Sequence, residues 1–181
     1  MRIVNKTLLY SAKEIQSRVA EIAAEINAEY AGKDLVVVCV LKGGLMFFSD
    51  LVKQLTGEPR LDFVRLASYG QGAESSGAIN FTKDIEISLK GAHVLVVEDI
   101  VDTGLTLNNL LAVLWARNPQ SLHVCSLLNK PSRRQVEVKV DFSGFEIEDE
   151  FVVGYGLDFA GSYRHLPFVG VLKPEVYENK E

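Results

Sequence analysis

Cysteine is nearly absent from this chain: 181 residues contain two, Cys39 and Cys125. Each sits in an apolar, strand-like run and reads as a small buried hydrophobe of a reducing compartment, which excludes a disulfide framework or a thiolate metal site. The 3 histidines show no ligand spacing. No run is long enough to span a membrane, and Met1-Arg2-Ile3-Val4-Asn5 does not open a signal peptide, so a cytoplasmic protein is expected. Extended Lys/Arg runs are missing, and the formal net charge is -5. Nucleic-acid binding, which needs a continuous basic face, is therefore not expected. Repeats, low-complexity tracts and linkers are missing too. The length fits a single domain over residues 1–181 with a small appended lobe; the one subdivision expected is a small hood lobe from the N-terminal region and roughly residues 145–181.

What is present is organised around Val94-Leu95-Val96-Val97-Glu98-Asp99-Ile100-Val101-Asp102-Thr103-Gly104-Leu105-Thr106. The unbroken apolar start is that of a strand buried on both faces. Glu98 and Asp99 are tolerated poorly in a strand interior, so they mark its mouth. The Thr-Gly-Leu-Thr bend then enters an apolar helix pattern through Leu107, Leu110, Leu111, Leu114 and Trp115, closed by Asn118-Pro119. These letters also describe an ordinary βα connection with a threonine cap. Three acids, two hydroxyls and a glycine in so short a span favour chemistry: a nest of N–H groups and a helix N-terminus holding a phosphate monoester. The carboxylates then face sugar hydroxyls or a divalent cation.

The rest of the chain repeats the strand–helix alternation. Ser11-Ala12-Lys13-Glu14 is a capping box opening a helix with apolar Ile15, Val19, Ile22, Ala23, Ile26 and Tyr30, closed by Gly32. Leu35 to Leu41 is a second two-faced strand, ending in Lys42-Gly43-Gly44 before a helix through Met46, Phe47, Phe48, Leu51, Val52 and Leu55. Strand, cation, paired glycines and helix again describe an anion site or a tight turn. Asp62 to Leu66 reads as a strand, and residues 67–77 as a mobile loop in which Tyr69 marks a lid. Phe81 to Leu89 is ambiguous between short strands and a ribbon. Ser121 to Leu128 is a further parallel strand, with His123 as a structural histidine; Val136 to Val140 and Phe142 to Ile147 are strand-like, and Pro167 to Leu172 returns as a last strand. The fold class is α/β, a doubly wound, mostly parallel sheet flanked by helices. Ligands then bind at the carboxyl ends of its strands.

The central stretch resembles the phosphoribosyl-pyrophosphate signature of the type I phosphoribosyltransferases. Leu-Lys-Gly-Gly at residues 41–44, Lys130 and Phe-Val-Val-Gly-Tyr-Gly-Leu-Asp at 151–158 follow in the order of the hypoxanthine (hypoxanthine-guanine) members. The resemblance implies Mg2+-dependent transfer of a 5-phosphoribosyl group to N9 of a 6-oxopurine in purine salvage. It implies a 5′-phosphate in the Asp102-to-Thr106 loop, on Thr103, Gly104, Leu105 and Thr106, with Glu98 and Asp99 at the ribose hydroxyls, directly or through metal. Lys42, Gly43 and Arg164 would meet pyrophosphate, the Leu41–Lys42 peptide would be cis, and Asp158 would be a further metal contact. Lys130 would donate to the 6-oxo group, which disfavours adenine. Phe151 would cover the purine, or else fill core, and the Val152 backbone would read the base edge. Ser68 and Tyr69 would close over the reaction centre. Asp102 is expected to handle the purine proton at N7. Guanine or xanthine preference stays open. An RNA-binding regulator on the same fold is disfavoured by the acidic balance. Family habit implies a homodimer or homotetramer, to which Met46, Phe47 and Phe48 contribute either core or interface.

Overall fold

The computed structural model describes residues 8–66 and 81–174. In chain order the elements are β1 (Leu8–Tyr10), α1 (Ala12–Glu29), β2 (Leu35–Val40), α2 (Leu45–Val52), β3 (Arg60–Leu66) and β4 (Phe81–Lys83). Then come β5 (His93–Val101), α3 (Leu105–Trp115), β6 (Ser121–Asn129), a 3₁₀ turn (Pro131–Arg133), β7 (Phe142–Glu146), β8 (Val152–Val153) and β9 (Val169–Val171). A six-stranded sheet runs β4-β3-β2-β5-β6-β7. Its five strands from β3 to β7 are parallel and β4 is an antiparallel edge. A separate antiparallel sheet, β1-β9-β8, joins the two ends of the chain.

Side-chain alternation along the central strands sorts the core into two layers. Val37 and Cys39 of β2, Leu95 and Val97 of β5 and Cys125 of β6 face Ile15, Val19, Ile22 and Ile26 of α1 and Phe47 and Leu51 of α2. Val36, Val38, Val94, Val96 and Val124 point the other way, onto Leu107, Leu110 and Leu114 of α3. That two-sided burial is why β2 and β5 read as unbroken apolar runs. The capping box of α1 forms: Glu14 N–H donates to Ser11 Oγ, and Ser11 N–H donates to Glu14 Oε2 at 2.8 Å. His123 is half-buried, with Nδ1 2.5 Å from the Tyr30 hydroxyl.

Strand lengths build the site. β2 pairs with β5 only as far as Cys39 opposite Val97, whereas β6 follows β5 to Asn129 opposite Val101. The strand therefore does not end at Glu98 and Asp99, as their charge implies. Pairing with β6 carries it to Val101, while its β2 side opens beside the Leu41–Gly44 turn. Gly44 permits this close approach; a Cβ there would lie 3.1 Å from the Val97 carbonyl oxygen.

Other expectations are corrected. Val136 to Val140 forms no strand, because β7 occupies the edge of β6 from Cys125 opposite Phe142 onward; Val138 and Val140 instead pack on the α3 side of the core. The helix after Gly44 ends at Val52 rather than reaching Leu55, which closes a turn with Leu55 N–H donating to the Val52 carbonyl. Of Phe81 to Leu89, only Phe81–Lys83 is strand.

Candidate active site

The carboxyl ends of β2, β5 and β6 bring three groups of residues to one edge of the sheet. The first surrounds the start of α3. Gly104 takes φ +83°, a left-handed turn that a glycine adopts without strain, and the first turn of α3 follows immediately. A cavity of about 130 Å³ opens here, lined by Glu98, Asp102, Thr103, Gly104 and Thr106 together with apolar neighbours. Helix-start N–H groups, which have no intrahelical acceptor, and threonine hydroxyls around such a space suit a phosphate monoester. Leu105 offers its backbone; its side chain is exposed, and its N–H donates weakly to Thr103 Oγ1.

The second group is built around two close backbone contacts. A Cβ on Gly43 would stand 1.7 Å from Asp99 Oδ2, and one on Gly156 would stand 2.0 Å from the Gly43 carbonyl oxygen. The turn after β2 is thereby wedged between the end of β5 and the loop after β8. Its Leu41–Lys42 peptide is cis, and Lys42 is exposed. Arg164 donates to the Gly156 carbonyl and pairs with Asp158 Oδ1, each at 2.5 Å. Asp158 Oδ2 also accepts from Gly161 N–H at 2.8 Å.

Glu98 and Asp99 stand side by side. Burial pushes the Glu98 carboxyl well above its usual range, and the negative Asp99 and a hydrogen bond to it add to the rise. Burial also raises Asp99, against its backbone N–H donors and the charge of Arg164. A raised carboxyl binds its proton more tightly in the folded than in the unfolded chain. Stability is then lost as pH rises from the ordinary carboxylate range through the raised one. A Glu98→Gln variant lacks this titration. It should melt higher than the parent at pH 8, by about 2–4 °C for each kcal/mol relieved, and the gain should shrink toward pH 5. Thermal melts at the two pH values check this; a gain independent of pH contradicts it.

The third group follows β6. Lys130 is buried, its N–H donates to the Val101 carbonyl, and its ammonium donates to the Glu150 carbonyl at 2.7 Å. Asp149 Oδ1 lies 3.6 Å from the same ammonium. An ammonium carries three protons, so these contacts leave it able to donate again. Next to Glu150, the exposed Phe151 ring meets Phe159 edge to face at 5.6 Å. Val152 is buried in β8.

Comparison with known proteins accords with this arrangement. The model of the phosphoribosyl transferase domain matches residues 7–160. The chain belongs to the phosphoribosyltransferase family. The hypoxanthine-guanine phosphoribosyltransferase of Bacillus subtilis is 45% identical over 172 residues, 95% of this chain and 96% of that protein. A crystal structure of a Staphylococcus aureus hypoxanthine phosphoribosyltransferase has a TM-score of 0.92 at 43% identity, covering 96% of this chain and 95% of that one. A hypoxanthine phosphoribosyltransferase from Trypanosoma cruzi superposes with a TM-score of 0.90 at 40% identity.

Set within this phosphoribosyltransferase, the expected site residues fall into place unevenly. Lys42, Gly43, Glu98, Asp99, Asp102, Thr103, Gly104, Thr106, Lys130, Phe151, Val152, Asp158 and Arg164 lie in or around the three groups above. Ser68 and Tyr69 lie outside the described residues. The three acids expected at a metal do not form one cluster of metal-binding side chains among the described residues. Glu98 and Asp99 turn to each other, whereas Asp158 is paired with Arg164.

Two residues escaped the sequence reading. Arg133 donates through Nε to Asp102 Oδ1 at 3.1 Å and through Nη1 to Asp149 Oδ2 at 3.0 Å. Arg134 donates to the carbonyls of Val101 and Asp102 and to Asn129 Oδ1. In the sequence they are the end of a basic turn broken by Pro131, and no local signal separates them from solvated arginines.

Proposed function

We propose that this chain transfers the 5-phosphoribosyl group of phosphoribosyl pyrophosphate to N9 of hypoxanthine, and of guanine, releasing the nucleotide and pyrophosphate in purine salvage. The observation that carries the reading is the placement, on one sheet edge, of a phosphate-sized cavity at the start of α3 and a buried ammonium beside an exposed aromatic ring. The cavity holds the 5′-phosphate on the N–H groups of Gly104, Leu105 and Thr106 and the hydroxyls of Thr103 and Thr106. Glu98 and Asp99 then face the ribose hydroxyls. Lys42, Gly43 and Arg164 hold the pyrophosphate, Arg164 through a planar fork that matches phosphate oxygens.

Phe151 covers the purine, Lys130 donates to its 6-oxo group, and the Val152 backbone reads its edge. Asp102 takes the proton from N7 as the base becomes a nucleotide. Breaking the bond at C1′ develops positive charge on the sugar, as in glycoside chemistry, and the carboxylates beside it stabilise that charge.

Mg2+ is the cofactor that fits this donor set. Two half-buried, mutually repelling carboxyls and a third carboxylate offer only hard oxygen donors, the chemistry a small divalent cation prefers. The Glu98–Asp99 pair and, apart from it, Asp158 would each be a metal contact, completed by substrate oxygens. When bound, it neutralises charge on the departing pyrophosphate.

The β1-β9-β8 sheet is the core of the hood lobe in this reading, with Phe151 at its base. A homodimer or homotetramer in the cytoplasm is the accompanying proposal. The bacterial relative is named for both hypoxanthine and guanine, and Lys130 does not separate these bases, since both carry the 6-oxo group. Pyrophosphate release with phosphoribosyl pyrophosphate and Mg2+, measured with hypoxanthine, guanine, xanthine and adenine, tests the assignment. Hypoxanthine and guanine should react, with adenine slower by about 10²-fold or more, since the ammonium opposes its 6-amino group. Adenine at a comparable rate would contradict the role given to Lys130.

A further inference from the structure

We propose that Arg133 is a positioning residue for Asp102, holding the carboxylate that receives the purine proton; this rests on the assignment of Asp102 as the base. The carboxylate and its backbone are gripped from two sides by consecutive arginines. Arg134, partly buried, fixes the main chain by donating to the Val101 and Asp102 carbonyls while its other nitrogen meets Asn129. Arg133 fixes the side chain through its Nε contact at 3.1 Å to Oδ1. The guanidinium takes one lone pair of Oδ1 and so fixes the plane of the carboxylate, leaving it able to accept a proton.

The far end of Arg133 is itself anchored. Its Nη1 donates to Asp149 Oδ2 at 3.0 Å, and Asp149 Oδ1 approaches the Lys130 ammonium at 3.6 Å. One planar guanidinium thus bridges two carboxylates on different loops, a geometry that arginine provides and lysine does not. The chain Asp102–Arg133–Asp149–Lys130 links the two side chains that would meet N7 and the 6-oxo group. Those two atoms are neighbours on one edge of a 6-oxopurine. Asp149, itself beside the Lys130 ammonium, thereby anchors the far end of the arginine that orients the proton acceptor.

A purely structural salt bridge would have little to contribute at this place. The Arg133 and Asp102 side chains are 44% and 40% exposed, and pairs so open to solvent contribute little to folding. Loss of the arginine should therefore be read in turnover, with little effect in the melt.

The test uses the full chain with four variants: Arg133→Ala, Arg133→Lys, Asp102→Asn, and Asp102→Asn combined with Arg133→Ala. Each is assayed for kcat, for KM toward phosphoribosyl pyrophosphate and hypoxanthine, and for melting temperature. Arg133→Ala should lower kcat about fivefold or more, with both KM values within about twofold and the melting temperature nearly unchanged. Arg133→Lys should recover part of the loss. In the Asp102→Asn background, Arg133→Ala should change kcat by less than about twofold, because an effect exerted through Asp102 vanishes with it. Equal losses in both backgrounds, a loss confined to KM, or no loss at all would overturn the proposal. An Asp102→Asn single variant with parental kcat would overturn the base assignment and this proposal together. A low kcat in that variant beside a parental kcat in Arg133→Ala would overturn this proposal alone.

Discussion

An Asp102→Asn variant is expected to retain its fold and lose about 10²–10⁴-fold in kcat, the range associated with one positioned proton acceptor. Asn keeps the shape of the side chain and an oxygen that can still accept from Arg133 Nε, where the parent contact is 3.1 Å. The Arg134 clamp on the backbone carbonyl is untouched. What disappears is a carboxylate oxygen at the rim of the cavity at the start of α3. KM for phosphoribosyl pyrophosphate should move little, because the proposed phosphate site is Thr103, Gly104 and Thr106 rather than this carboxylate. Steady-state rates at saturating substrates check the expectation. Unchanged turnover would remove Asp102 from the proton transfer.

Gly43→Ala should be as damaging by a different route. The added Cβ would overlap the Asp99 carboxylate at 1.7 Å from Oδ2, closer than any non-bonded pair tolerates. Retreat is blocked on the other side, where Gly156 packs so close that a Cβ on it would stand 2.0 Å from the Gly43 carbonyl oxygen. In the proposed binding mode, either Asp99 leaves the ribose or the turn carrying Lys42 moves away from the pyrophosphate. A displacement near 1 Å at reacting groups costs about 10²-fold in rate. Overpacking should also lower stability by about 1–3 kcal/mol. Rates and a denaturant melt on the same preparation separate the two effects. An active, undisturbed Gly43→Ala enzyme would show that the wedge is not needed for catalysis.

These two positions show what could be read from the sequence. Asp102 lies in a stretch where strand, acids, glycine and helix follow one another within a few residues, so local chemistry announces the site. Gly43 is marked by its pairing with Gly44, although its neighbour Asp99 is visible only once β2 and β5 are side by side. The β2 and β5 strands and the α1 face were legible because burial imposes a period on consecutive residues.

Where the sequence misled, long-range pairing decided. Val136 to Val140 has strand composition, but the place beside β6 belongs to β7. β1 is three residues long and draws its partners from the opposite end of the chain, with Leu8 opposite Gly170. No local pattern encodes such a register. Arg133 illustrates the same limit for function: its partner Asp102 is 31 positions away. The charges of Glu98 and Asp99 imply the end of a strand, yet β6 carries the ladder past them.

The most direct test of the central claim follows the backbone amides of residues 102–106 by nuclear magnetic resonance while the nucleotide product of hypoxanthine is added with Mg2+. A 5′-phosphate bound in the bend before α3 should shift the amide signals of Gly104, Leu105 and Thr106 more than those of α1, and should do so saturably. Saturable binding that leaves these three amides unmoved, with the changes elsewhere on the chain, would contradict the account.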